Sequence, residues 1–372
     1  MAKFEPLKFD VKNPESTMRS IWEEWTPHER MSAKTFEWWY VTTVVHDAEG
    51  NPYFMFLSVS GFRGSNIQQG LLGEVLPMEK AVIGLTATIT DYNQKKVRVP
   101  MGLTVMDMQD YYDPDENRIT ADDGKGASVD WNFDEDTMHL KFTSNDSDWD
   151  FTLSNCSDAL WHKDKLGIEG FIQQGAEDDF SYYYSLPNCN LSGKLTLKNE
   201  DTSIEKVLDV HGRAWVDRQW GDFSTLFWEW ASFRFNNGAT MHLYNFFNGH
   251  QEGLYRDADG NVQYFSGVKV IQNGYVQSDV TKTWCSWGWT YEFPIEIEGS
   301  KTFTVEPMNK KEFMQFPTLN VPIEGGLIEG YGLFEGAGKL INEETGEVVG
   351  ISVNESGDIR AMQNAPYGPN QN

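Results

Sequence analysis

A chain of 372 residues with a formal net charge of −26 lacks the clustered Lys and Arg needed to neutralise phosphates, so neither nucleic acid nor an anionic membrane surface is expected as a partner. Forty per cent hydrophobic and 14% aromatic residues exclude a disordered chain, and the length exceeds one ordinary core, so two domains are expected. No apolar run approaches bilayer-spanning length and the start, MAKFEPLKFDVKNPES, has no apolar signal core, which points to a soluble, cytoplasmic protein without stable membrane insertion.

Helix is expected in only two short places, Glu15–Trp25 and Gly70–Glu79. The rest reads as strands separated by turn signals such as DAEGN at 47–51, DYNQKK at 91–96 and NEETGE at 342–347. FEWWY at Phe36–Tyr40 opens the first strand, with Glu37 and Trp39 on one face and Trp38 and Tyr40 on the other. A second apolar strand, YFMFLSVSG, follows the turn. Met108–Ala127 reads as a loop or lid. In SYYYSLP, Tyr182 and Tyr184 face together, and the change from the irregular KDKLGIEGFIQQGAEDDF to the alternating LSGKLTL places the domain boundary near Tyr184–Asn190. The expected division is 1–186 and 187–372, each a β domain.

In HGRAWVDRQWGDF, His211–Phe223, a strand would turn His211, Arg213, Trp215, Asp217 and Gln219 to one side. Gly212, Ala214, Val216 and Arg218 would turn to the other. An acid, a base, a guanidinium, an indole and an amide on one face are costly unless they pair or line a cavity. A solvent-facing strand or an internal ion-pair network is the bland reading. LFWEW at 226–230 then repeats the opening aromatic-acidic strand, again followed by a turn and an apolar strand, MHLYNFF. Setting Trp39 on Trp230 and allowing a difference in length at the turn brings Phe54–Phe56 into step with Met241–Leu243, which suggests two related β domains. DADGN at 257–261 has Gly in the fourth place, where a calcium loop of the EF-hand type needs it sixth, and reads as a hairpin turn. Glu335 reads as a structural carboxylate.

Cys156, Cys189 and Cys285 have no CxxC spacing and cannot all pair, in keeping with a reducing compartment. No His/Cys group has metal-ligand spacing, so neither metal nor cofactor is expected. The N-x-S/T sequons at Asn145, Asn155, Asn190 and Asn354 read as accidental.

The ordered set EWWY, YYYSLP with a GKL strand, GRAWVDRQWGDF, WEWASFRFNNG and YGLFEGAGKL, spread from Phe36 to Gly350, resembles the AttH/CrtC-like proteins. These are tandem lipocalin-like proteins that include carotenoid hydratases, kievitone hydratase and fungal Diels–Alderases. The resemblance implies an all-β chain of two calycin-like antiparallel β-barrels packed together. It also implies a proton-donor role for Asp217, through the match of the aromatic-x-Asp unit of the carotenoid hydratases to Trp215-Val216-Asp217. Two departures stand out: Arg218 and Gln219 follow the acid, and Tyr182–Tyr184 replaces a His/Trp-rich run. Hydration, isomerisation and cyclisation therefore all stay open. No GxSxG supports hydrolysis.

The expected catalytic residues are Asp217, Trp215 and His211. Glu37, Trp39, Tyr182, Tyr184, Arg213, Gln219 and Trp230 are the expected lining for a hydrophobic alkene, terpenoid, carotenoid or polyketide. A neutral Asp in an apolar site would protonate C=C, and indole and phenol faces would stabilise the cation. The alternative is a non-catalytic carrier of a hydrophobic small molecule.

Overall fold

β-Branched and aromatic residues in alternation become long antiparallel strands in the computed structural model, which describes residues 4–357 except 157, 175, 224–227, 279–283, 309–312, 317–320, 324, 325, 329 and 330. Two compact units result. One is formed by residues 1–161 with 180–224, the other by 162–179 with 225–372. The division expected at 186/187 falls inside a single strand, Phe180–Lys198, which pairs with Ile204–Asp222 along its length and so stays in the first unit. Residues 162–179, read as the irregular approach to a boundary, are an excursion into the second unit. Local alternation reveals strands but not which strands pair, and pairing decides the boundary.

The first unit holds, among the described residues, 13 strands of the larger, 14-stranded sheet. Its centre runs Pro52–Phe62, Thr35–Asp47, Ile204–Asp222, Phe180–Lys198, Ser147–Ser154. The second unit has a 10-stranded sheet whose centre runs Thr240–Phe246, Trp228–Phe235, Val348–Ser356, Tyr331–Asn342, Ser300–Pro307. In both units the aromatic-acidic strand lies between its own hairpin partner and the last strand of the unit. The repeat visible in the sequence is thus a repeat of topology.

Its register differs from the one expected by a single residue. Trp39 points into the first unit's core, where Trp25 meets Trp39, Trp131 and Phe133 at ring distances of 6.4, 5.1 and 5.1 Å. Such edge-to-face pairs add about 0.5–1.5 kcal/mol each beyond area burial. Trp230 points away from the second unit's core, which takes Ala231, Phe233 and Phe235 together with Trp289, Tyr291 and Phe303. Glu37 and Glu229 are the core-facing pair, so faces match when acid is set on acid. Glu37 stands opposite Gly61 and Glu229 opposite Asn245, which makes the first hairpin four residues longer in each strand. Gly61 is required there, because a Cβ would come within 2.9 Å of Glu37 Cγ.

Other local expectations shift for local reasons. Glu15–Trp25 forms only two short 3₁₀ turns, Pro14–Ser16 and Glu23–Trp25. The expected Gly70–Glu79 helix lies earlier, at Ser65–Leu72, and ends at Gly73, whose φ of 76° suits a left-handed cap. Met108–Ala127 is no lid: it holds a helical turn, Met108–Tyr111, and a hairpin of Tyr112–Asp113 with Arg118–Asp122. DADGN is a hairpin turn, with Asp257 Oδ1 accepting the amides of Asp259 and Asn261. Cys156 and Cys189 are bonded to each other with Cα atoms 4.9 Å apart, so cysteine usage no longer argues for a reducing compartment. Asn354 is buried, donating to Tyr291 and accepting from Ser352, which suits a structural residue rather than a glycosylation acceptor. No described helix is long and apolar enough to cross a membrane.

Candidate active site

The Ile204–Asp222 strand is exposed at His211 and Arg213 and buried on both faces from Ala214 to Gly221. On one face Asp217 lies opposite Ser185 in one neighbouring strand and Tyr40 in the other. Two residues back along the strand, Trp215 shares that face. The register of the Phe180–Lys198 strand slips between Leu186 and Cys189, so Pro187 and Asn188 together oppose Trp215. Proline has no N–H for the ladder, and such a bulge re-aims neighbouring side chains.

Three donors among the described residues reach the Asp217 carboxyl. Tyr183 OH lies 2.8 Å from Oδ2, while Ser185 Oγ at 2.5 Å and Trp215 Nε1 at 2.6 Å share Oδ1. Tyr183, Ser185 and Trp215 are fully buried and Asp217 is 3% exposed. The two hydroxyls can both give and take a proton; the indole can only give. The cluster therefore accommodates an ionised carboxylate, or a carboxylic acid whose proton passes to a hydroxyl oxygen. Gln219 lies further along the same face, opposite Tyr183, and donates to Ser181 Oγ at 2.7 Å.

The other face is a charge network. Arg218 is fully buried, donating to Glu37 Oε2 at 2.7 Å and to the carbonyls of Glu24 and Thr26. Its guanidinium sits 3.9 Å from the Trp39 ring centroid. His28 bridges the two acids, with Nδ1 3.1 Å from Glu37 and Nε2 3.0 Å from Glu24, and stacks on Trp220. Burial alone would raise the Glu37 carboxyl, but Arg218 and His28 hold it below the usual carboxylate range. Tyr182 stacks on Trp220 too, and burial pushes its phenol up to about 12. Tyr184, likewise pushed up by burial, donates to the carbonyl of Ile21.

The sequence groups Glu37, Trp39, Tyr182 and Tyr184 with Asp217 as one lining, and the fold separates them. Trp215 and Gln219 share its face. Glu37, Trp39, Tyr182 and Tyr184 line the opposite face and bind the N-terminal segment to the core. Arg213 is exposed, and His211 is exposed about six residues, roughly 20 Å, along the strand from the acid. It stands beside His46, with ring centroids 6.4 Å apart. Trp230 belongs to the second unit, where its ring lies 5.7 Å from His242. Tyr183 and Ser185 were missed, although SYYYSLP places them together on the face that Tyr182 and Tyr184 leave.

Glu229 and Glu252 are both buried in the second unit. Glu229, facing the core, accepts from Asn245, Gln272 and the Trp289 indole. Facing away from that core, Glu252 lies between His162 and His242, a convergence of ligand-type residues that spacing in the chain did not reveal.

A family model described as AttH-like matches residues 20–347. Among solved structures, an AttH protein of Nitrosomonas europaea aligns over 86% of this chain and 91% of its own, with a TM-score of 0.64 and 18% identity. Kievitone hydratase from Nectria haematococca aligns over 95% and 97%, with a TM-score of 0.55 and 13% identity. CghA in complex with Sch210972 aligns over 90% of each chain, with a TM-score of 0.52 and 11% identity. At these identities the likeness is one of fold. No curated protein matches the sequence significantly.

Proposed function

The chain belongs to the AttH-like family, and from that membership and the Asp217 cluster we propose that it is an enzyme acting on a hydrophobic alkene or polyene by acid-assisted chemistry. The observation that carries this reading is a buried carboxyl that accepts from two hydroxyls and an indole. Kievitone hydratase, similar in fold, is named for adding water, and CghA has been solved with a small molecule bound.

In the reaction, the Asp217 O–H proton passes to one carbon of C=C and leaves a carbocation at the other. The Trp215 and Tyr183 rings offer electron-rich faces to the cation. Water adding to the cation and returning its proton to the carboxylate gives hydration. Loss of a proton from the neighbouring carbon gives an isomer. Either route regenerates the acid. The roles are proton donor for Asp217, positioning of that acid by Tyr183 and Ser185, and both positioning and cation stabilisation for Trp215.

The test is incubation with a panel of terpenoids, polyenes and prenylated phenols in D2O, read by mass spectrometry. Deuterium fixed on carbon, with or without added water, is expected from the native protein and absent with Asp217→Asn. Product formed without deuterium uptake, and retained by Asp217→Asn, would favour a template for cyclisation. Ligand binding without any product would favour a carrier.

A further inference from the structure

Outside the Asp217 cluster, the second unit brings together three residues, one of them remote in sequence from the other two. His242 lies on the Thr240–Phe246 strand and Glu252 on Gln251–Arg256. These strands pair with His242 opposite Leu254 and Tyr244 opposite Glu252, so His242 and Glu252 are diagonal neighbours on one face. His162 arrives from the 162–179 excursion. All three side chains are fully buried. His162 Nδ1 lies 3.2 and 3.3 Å from the two Glu252 oxygens, and His242 Nδ1 lies 3.1 Å from Oε2. The two imidazole rings are 4.3 Å apart and nearly perpendicular. One ligand atom from each residue falls within 4.8 Å of the other two.

We propose that His162, His242 and Glu252 form a binding site for a divalent transition metal, with zinc the ion that best matches two imidazoles and one carboxylate. Ligand atoms about 2.0–2.2 Å from a tetrahedral zinc are separated by roughly 3.3–3.5 Å, close to the imidazole–carboxylate distances here. Three protein ligands leave a fourth position for water or a substrate oxygen.

A buried carboxylate needs a compensating positive charge, and a divalent cation supplies it more fully than a proton shared with an imidazole. Trp230 and Tyr244 flank His242 at ring distances of 5.7 and 5.3 Å, an aromatic wall that strengthens the local field. This inference is independent of the Asp217 reading, which stands or falls separately.

The full-length protein, stripped with a chelator and desalted, is titrated with Zn2+ by calorimetry. The zinc-loaded form is then examined by X-ray absorption, and Co2+ is added in parallel. One zinc per chain at sub-micromolar Kd, two imidazoles in the absorption fit and visible bands of a tetrahedral cobalt site are expected. Glu252→Gln keeps the size and should weaken zinc binding by at least 100-fold. His162→Gln should act in the same direction, while His211→Gln should leave the site intact, because it removes only the surface His46–His211 pair. No binding by the native protein at 100 µM Zn2+, or a zinc ion carrying no imidazole, overturns the proposal and leaves a hydrogen-bonded triad. Binding lost with His211→Gln but kept in Glu252→Gln also overturns it. Should the core variants fail to fold, the native stoichiometry and ligand count still decide.

Discussion

Asp217 and Arg218 are adjacent in one strand and belong to different physical regimes. Arg218 faces the core, where a guanidinium, an imidazole and two carboxylates bond to one another and join residues 24–28 to the sheet. Asp217 faces away from it and is held by a phenol, a hydroxyl and an indole. A carboxylate locked to a guanidinium cannot readily take or release a proton, because its charge is part of the fold. One held by hydroxyls can exchange a proton through them. The second unit repeats the contrast in another form: Glu229 faces the core among neutral donors, and Glu252 faces away between imidazoles. In both units the proposed site is built on an acid turned away from the core.

The largest expected effect sets the two faces against each other. Asp217→Asn should lower turnover by about 10²–10⁴-fold, the range for a positioned general acid, with a melting temperature close to native. Glu37→Gln should instead destabilise the protein by about 3–5 kcal/mol in urea titration, since Arg218 would be buried without its carboxylate. Equal losses of activity and stability from both variants would erase the distinction between the faces.

A smaller effect is expected from Tyr183→Phe. It removes one hydroxyl from the carboxyl and keeps the ring, so turnover should fall by roughly tenfold, the equivalent of about 1.4 kcal/mol, while substrate affinity holds. Unchanged turnover would leave Ser185 as the only hydroxyl that matters.

Acidification sharpens the comparison between the units. Glu37 has a lowered folded value, so its stabilisation is complete above the ordinary carboxylate range near pH 4.3 and is lost as pH falls through the folded value. His162, lowered to about 4, makes the folded chain bind fewer protons than the unfolded one below the ordinary histidine value near 6.5. Its contribution is complete above about 6.5 and lost between there and about 4. Thermal melts of the chelator-stripped protein from pH 8 to pH 3 should therefore show a first decline below pH 6.5, abolished by His162→Gln, and a second below pH 4.3, reduced by Glu37→Gln. A single decline beginning below pH 4.3 in the native protein would remove the case for a neutral, buried His162.

The sequence by itself determined the class of fold, the repetition of the aromatic-acidic hairpin and the alternation that sets Asp217 with Trp215 and Gln219. These are properties of one strand read along its length, where a period of two is enough. Alternation defines two faces without saying which is the core, so Glu37, Trp39, Tyr182 and Tyr184 were grouped with the acid although they lie behind it. It also cannot report where a strand becomes exposed, and so His211 and Arg213 were grouped with Asp217 as well. Tertiary structure decided those questions through register: pairing Ser185 with Asp217, and bulging at Pro187–Asn188, brought Tyr183 and Ser185 onto the carboxyl. It alone joined His162 to Glu252 across 90 residues, because a chain excursion closes a distance that no local pattern records.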